Sequence, residues 1–460
     1  MSSTSPRDAL LKAEIRITST MAMIFGLRMF GLFLLLPVFS LLGGELSGAT
    51  PLLIGTAIGA YGLLQAFLQI PFGLLSDRFG RRPLILVGLV LFTIGGVVAA
   101  LSDHIYGVIL GRALQGAGAI ASVIMALVSD SVSDDRRTRA MALIGMSVGG
   151  AFVLALIVGP LAARSLGLSG LFWAISVMGA IALLVAWFRV PRSKNLHAHA
   201  AMRSPLSLLQ LFRHTDLWRL NLSIFSLHLV MTATFVVLPL VLRQQVGLTL
   251  EAHSLLYLLV MLGGVVGMVP LIIYADKRRV RPVMLAGIAM LIAAEALLAV
   301  SGSALWQHIV ALLIFFTAFN LLEALLPSLV GRAVPAGTRG AAMGIYSSSQ
   351  FFGVFVGGQL GGWLLGSNGS AGAFWLCVGM LAVWLLCALS FRELPRLESR
   401  IIQMDEGVQS GARLQELLSL EGVVEGLLVP EDGIAVLKVD PAILDEDLLK
   451  QWLAGSAQAV

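Results

Sequence analysis

Twelve apolar stretches of about twenty residues, separated by short polar loops, constrain this chain more than any other feature. They lie near 18–42, 52–73, 83–101, 106–130, 138–164, 169–190, 217–243, 252–275, 282–300, 305–331, 340–366 and 371–391. At 1.5 Å per residue, roughly 20 residues cross the hydrocarbon layer of a bilayer. Helix is the open structure that satisfies its own backbone there. Only 12% of residues are charged, against about a quarter in a soluble domain. The sequence predicts an all-α membrane protein. The polar N-terminal residues MSSTSPRDALLKAEIR lack a signal-peptide pattern, so the first span is expected to persist. Cys377 and Cys387 sit inside an apolar run and read as packed small side chains.

Lys and Arg placement sets the orientation. The N-terminus and alternate loops hold nearly all of it: Arg78, Arg81 and Arg82; Arg136, Arg137 and Arg139; Arg189, Arg192, Lys194 and Arg203; Lys277, Arg278, Arg279 and Arg281. The opposite loops, GGELSGAT (43–50), SDHIYG (102–107) and GSNGSAG (366–372), hold none, and only Arg164 and Arg243 fall near that side. Both termini are therefore expected in the cytoplasm. The longest internal break, 191–216, is basic and carries two prolines, as a linker between two six-helix halves would.

The expected organisation is a cytoplasmic N-terminus (1–17), a first six-helix bundle (18–190), the linker, a second bundle (217–391) and a cytoplasmic domain (392–460). Residues 393–460 carry 13 acids and 5 bases, net −8. Strand patterns at 398–404, 423–429 and 433–439, helical ones at 412–422 and 444–455, and a hairpin signal at Pro430–Gly433 give the order β-α-β-β-α. That order suggests a small α+β, ferredoxin-like module. Its acid excess makes the basic cytoplasmic loops a natural docking surface, and a protein partner is the other reading.

The two membrane halves echo each other. SDRFGRRP ends the second span and ADKRRVRP (275–282) the eighth; VGPLAARSLG (158–167) matches GGQLGGWLLG (357–366) at the same offset of 199. Parallel six-span repeats around a midplane site are one known transporter architecture. GLLSDRFGRR (73–82) fits the loop motif G-x3-D-R-x-G-R-R, and RALQGAGA (112–119) resembles the R-x-x-Q-G motif of a fourth span. With these residues the chain resembles the major facilitator superfamily over 18–391. The drug–proton antiporter motif of span 5 is only partly present. Gly159 and Pro160 supply its GP, but Ala163 and Arg164 replace the following GG, and Ala155 an upstream Gly. FNLLEALLPSL (319–329) and the acidic tail are the most distinctive parts of the likeness to bacterial inner-membrane members. The resemblance implies proton-coupled export, a cavity lined by spans 1, 4, 7 and 10, and span 11 as the partner of the loop motif.

Asp77, at a helix end, can accept hydrogen bonds from N–H groups that a neighbouring helix leaves unsatisfied. Arg78 and Arg81 can pair with Asp130 at the end of span 4. Such contacts form only when the two halves close on the cytoplasmic side, so they would bias the conformational equilibrium. Gly73 and Gly80 allow the close approach and the turn. Arg82 reads equally as a latch member or a positive-inside anchor.

Ionisable groups at membrane depth are functional candidates by default. Arg28, Arg112, Glu295 and Glu323 lie within spans. Glu323 and Arg28 have similar depth, and burial and a nearby Arg act in opposite senses on a carboxyl's proton affinity. Glu323 is the leading proton-coupling candidate, with Arg112, Arg28 and His228 beside it; a structural ion pair is the alternative. Glu295 reads as a hydrogen-bonded, bundle-facing carboxyl. Arg112 and Gln115 share a helix face, and backbone carbonyls are an equal alternative for Arg112. Tyr61, Gln65, Gln69, Gln115, Asn320, Tyr346 and Gln350 are candidate cavity residues, in a lining that suits amphipathic or hydrophobic solutes.

No Gly-rich phosphate loop with its Lys, metal-ligand cluster or nucleophile–base pair is present in the sequence. Enzyme activity, ATP, cofactors, metals and nucleic acid are therefore not expected. Small solutes, protons and lipid are the expected partners. Direction is not written in the loops. An uptake symporter or uniporter, and a sensor signalling through the tail, stand beside the exporter.

Overall fold

The computed structural model describes residues 6–191, 214–277, 279–334, 339–391, 398–403, 411–429, 434–440, 443–445, 447–449 and 451. Most of the expected linker, the Pro430–Gly433 turn and much of the expected 444–455 helix lie outside the described residues. The chain forms two compact units, one of 1–327 with 340–391 and one of 328–339 with 392–460.

The membrane unit is helical. Its elements are α1 (Pro6–Leu34), the short α2 (Phe39–Leu42), α3 (Pro51–Phe79), α4 (Arg81–Ala100), α5 (Ile105–Ala117), α6 (Ala121–Ser131) and α7 (Asp134–Arg189). There follow α8 (Thr215–Gln244), α9 (Leu250–Lys277), α10 (Val280–Val300), α11 (Leu305–Ala333) and α12 (Arg339–Leu389). Among the described residues, ten helical stretches are long and apolar enough to cross a membrane, α5 and α6 counting as one.

Two of the ten are double. α7 has 56 residues and α12 has 51, roughly 75–85 Å at 1.5 Å per residue, against a hydrocarbon layer of about 30 Å. Each bends at a glycine with left-handed backbone, Gly167 (φ 63°) and Gly369 (φ 71°), a conformation without penalty only for Gly. Each therefore supplies two limbs, and the described helices give twelve limbs long enough to cross.

Span 4 departs from a continuous helix. α5 stops at Ala117 and α6 starts at Ala121, with 118–120 non-helical. Gly118 packs so closely on α4 that a Cβ would overlap the carbonyl of Gly88. The break follows directly on the RALQGAG motif.

The second unit contains β1 (Glu398–Gln403), α13 (Gly411–Ser419), β2 (Val423–Val429) and β3 (Ile434–Val439). The sheet order is β1-β3-β2, with both outer strands antiparallel to β3. β1 and β2 are thus parallel, as a β-α-β crossover requires. Ile402, Leu417, Val423, Leu437, Val439 and Leu449 form its core.

Candidate functional site

The loop motif holds the end of the first half together: Arg81 meets Asp77 and Asp130 within that half, so, contrary to expectation, these pairs do not need the two halves to close on each other. Gly80 links α3 to α4 with φ 93° and ψ 152°, a region essentially reserved for glycine. That turn returns the chain so that Arg81, 7% exposed, reaches three partners at once. They are the Asp77 carboxylate at 2.5 Å, Asp130 at 3.0 Å and the Ser76 hydroxyl at 2.5 Å. Gly73 faces Ser122 of α6, whose hydroxyl donates to the Gln69 carbonyl. Arg78 does not join Asp130; its guanidinium stacks over the neighbouring Phe79 ring at 5.5 Å. The reason is direction, since residues 78 and 81 project from different helices on either side of the Gly80 turn.

Arg82 has a defined partner. It donates to the carbonyl of Trp187 at 2.5 Å and stacks on that indole at 5.4 Å. It therefore caps the last turn of α7, where carbonyls lack intrahelical donors. Arg281, its counterpart in the repeat, donates to the Leu389 carbonyl at the end of α12 at 2.6 Å. Both halves use the same clamp.

The charged residues at membrane depth separate into two groups. In the first half Arg28, 1% exposed, donates to Gln65 Oε1 at 2.6 Å, and Gln65 donates on to Gln69 at 3.1 Å. The ion pair that similar depth suggested between Arg28 and Glu323 is not formed. Arg28 points into its own half, towards the rings of Tyr61 (5.5 Å) and Phe92 (5.7 Å). Arg112 donates to Gln115 at 2.9 Å and to the α3 carbonyls of Ala57 (3.3 Å) and Ile58 (3.5 Å). Tyr61, Gln65, Gln69 and Gln115, offered above as cavity residues, are all at most 2% exposed in this conformation. They are interior to the first half.

In the second half the Glu323 side chain is 38% exposed although it lies mid-helix, while its Oε2 is buried without a hydrogen-bond partner. Gln350 of α12 donates to Glu323 Oε1 at 3.4 Å, and its amide nitrogen is 2.8 Å from His228 Nε2. His228 Nε2 lies 3.8 Å from Glu323 Oε2. With Gln350 as donor, His228 Nε2 accepts. That places the ring proton on Nδ1, 3.3 Å from the Ile224 carbonyl. Two titratable groups, from α8 and α11, are thus bridged by an amide from α12. Asn320, one turn before Glu323, has no partner for its amide nitrogen, nor has Tyr346 for its hydroxyl. An aromatic run, Phe33–Phe152–Phe319–His228, crosses from the first half to the second, with steps of 5.0, 5.9 and 5.9 Å.

Glu295 is fully buried and accepts from Thr234 at 2.7 Å. Cys377 is buried beside it. This carboxyl belongs to the interior of the second half.

The two halves meet most closely at the Lys/Arg-poor end. A Cβ on Gly55 of α3 would overlap the Gly358 carbonyl of α12, and one on Gly59 would lie 2.9 Å from the Phe355 carbonyl. Thr56 donates to Gln359 across the seam at 3.1 Å. Arg164 of α7 pairs with Glu251 of α9 at the same end. The sequence placed Arg164 near this side and as a departure from a motif, but nothing near Glu251 marks it as the partner.

Known proteins supply the family. The sequence profile of the Major Facilitator Superfamily matches residues 21–320 and 220–456. The inner membrane transport protein YajR of Escherichia coli K12 is 42% identical over 442 residues, covering 95% of this chain and 97% of that protein. An uncharacterized transporter of Buchnera aphidicola subsp. Acyrthosiphon pisum is 34% identical over 347 residues, covering 75% of this chain and 89% of its own. A D-xylose–proton symporter structure aligns with TM-score 0.65 and 18% identity, covering 81% of this chain and 97% of that one. At that identity the likeness speaks for the fold alone. Helical architecture, loop motif, internal repeat and profile agree: this chain belongs to the Major Facilitator Superfamily.

Proposed function

We propose that the protein is a proton-coupled secondary transporter of the bacterial inner membrane, exporting a small amphipathic or hydrophobic solute by alternating access. The observation that carries this reading is the Glu323–Gln350–His228 group, two titratable side chains and a bridging amide brought together from three helices at membrane depth. A carboxyl there can take a proton from one side and release it to the other as the halves move. Gln350 ties the change to α12, which forms the seam with α3. The likeness to an inner membrane transport protein supports the membrane assignment.

With the basic loops in the cytoplasm, the tight seam faces the periplasm, and the described conformation is closed on that side. In the alternate state Asp77 would cap the start of α12 and the cytoplasmic ends would draw together. The antiparallel sheet of the second unit supports a ferredoxin-like β-α-β-β-α domain.

The test is a screen of labelled amphipathic solutes in vesicles of known orientation under an imposed pH gradient. Gradient-dependent flux, collapsed by a protonophore and lost in Glu323→Gln, is expected. Flux indifferent to the protonophore, or wild-type gradient dependence in Glu323→Gln, would overturn the coupling role.

A further inference from the structure

The first half buries two arginines, 1% and 3% exposed, and no carboxylate among the described residues pairs with either. Both guanidinium carbons lie over the Tyr61 ring, Arg28 at 5.5 Å and Arg112 at 5.3 Å from its centroid. Two like charges thus share one aromatic ring inside a bundle, where charge is costly unless paired.

The hydrogen-bond inventory is one-sided. Arg28 uses Nη2 on Gln65 and leaves Nε and Nη1 without an acceptor. Gln115 Nε2 and the Tyr61 hydroxyl are also buried without partners. Three of these four groups can only donate. The nearby acceptors are already engaged: Gln65 Oε1 by Arg28, and Gln115 Oε1 and the Ala57 and Ile58 carbonyls by Arg112. Surplus donors around two positive charges call for an anion, and the rings of Tyr61, Phe92 and Phe351 offer apolar surface to whatever carries it.

Access depends on the seam. The Tyr61 ring lies 6.1 Å from that of Phe351 on α12, and a Cβ on Gly62 would lie 2.5 Å from the Phe351 carbonyl. Phe351 covers Tyr61 while α3 and α12 are together, and their parting uncovers it.

We propose that the Arg28–Tyr61–Arg112 cluster binds the carboxylate of the transported solute, which makes the solute an amphipathic organic acid. This rests on the transport reading above and names its substrate class. A free inorganic anion has the same chemistry, so the test separates the two.

Full-length protein in zwitterionic nanodiscs would be titrated with octanoate, octylamine, octanol and chloride, reading binding calorimetrically. Saturable octanoate binding is expected, with none for octylamine or octanol. Arg28→Gln should weaken it at least tenfold, since it removes a charge-assisted partner. Tyr61→Phe, which keeps the ring and spares the fold, should weaken it a few-fold. Arg243→Gln, which removes an exposed arginine elsewhere, should bind as the wild type does. The proposal fails if octanoate does not bind, if octylamine binds equally, or if both cluster variants bind octanoate normally. Chloride binding that octanoate cannot displace would make this a free-ion site and overturn the substrate assignment. Binding is read without a gradient. Octanoate binding without proton flux would sink the transport reading and leave the site; gradient-driven export of octylamine alone would do the reverse.

Discussion

The proton on His228 decides which neighbours its ring can keep. As drawn by its contacts, Nε2 accepts from Gln350 and Nδ1 faces the Ile224 carbonyl. A second proton at Nε2 would force Gln350 to turn its amide oxygen towards the ring, and Glu323 would become the counter-ion. Gln350→Leu should therefore lower gradient-driven flux roughly fivefold or more, the usual scale of coupling between sites, without loss of folded protein by size-exclusion chromatography. Gly80 is the other residue whose identity is dictated singly. With φ 93° and ψ 152°, Gly80→Ala should cost about 1–3 kcal/mol and lower the thermal unfolding midpoint. Gly145→Ala is the matched comparison. No atom lies within 4 Å of a Cβ there, so its midpoint should stay or rise.

Among elements, the repeat is visible as hardware. Arg82 and Arg281 are 199 residues apart, and each holds the last carbonyls of a helix six crossings' worth of chain away from its counterpart. The residues they hold, Trp187 and Leu389, are 202 apart, as are Gly167 and Gly369. The second half is therefore three residues longer between Gly366 and Gly369, just before the kink of α12. Arg82→Gln and Arg281→Gln should each destabilise by about 1.5–3 kcal/mol, the range for hydrogen bonds to charged groups. The double variant should be nearly additive, because the two clamps share no partner. Arg82→Lys should not restore the first clamp, since lysine lacks the planar group that stacks on Trp187. Denaturation of purified variants in a fixed detergent reads all four.

For the whole molecule, the decisive feature is the seam between α3 and α12. Glycines let the two backbones touch, so Gly358→Leu cannot close that end. Thr56→Cys with Gln359→Cys should form a disulfide readily in the wild-type background and poorly beside Gly358→Leu. Arg164 and Glu251 add an exposed ion pair at the same end. Exposed pairs contribute little each, but a balanced two-state equilibrium responds to small biases. Arg164→Glu should shift spin-label distances across this end towards the open population, and adding Glu251→Arg should shift them back. An unchanged distance distribution in the single variant would remove the pair from the gate.

The sequence by itself determined the apolar helical stretches, the basic loops, the two-fold repeat and the loop motif. Each depends on local quantities: apolar length against bilayer thickness, the spacing of Gly80 from its neighbours, a fixed offset between halves. The three strands of the tail were legible for the same reason, because alternation and turn residues act within a few positions. Tertiary structure decided which charge meets which partner. Arg28 and Glu323 have the same depth, yet Arg28 turns to Gln65 and Glu323 to Gln350, since a helix rotates about 100° per residue and depth says nothing of direction. Arg112 bonds carbonyls 54 and 55 residues away, Arg82 one 105 away, and Arg164 meets a residue of the other half. Such pairings are set by how helices pack, and no pattern along the chain records that.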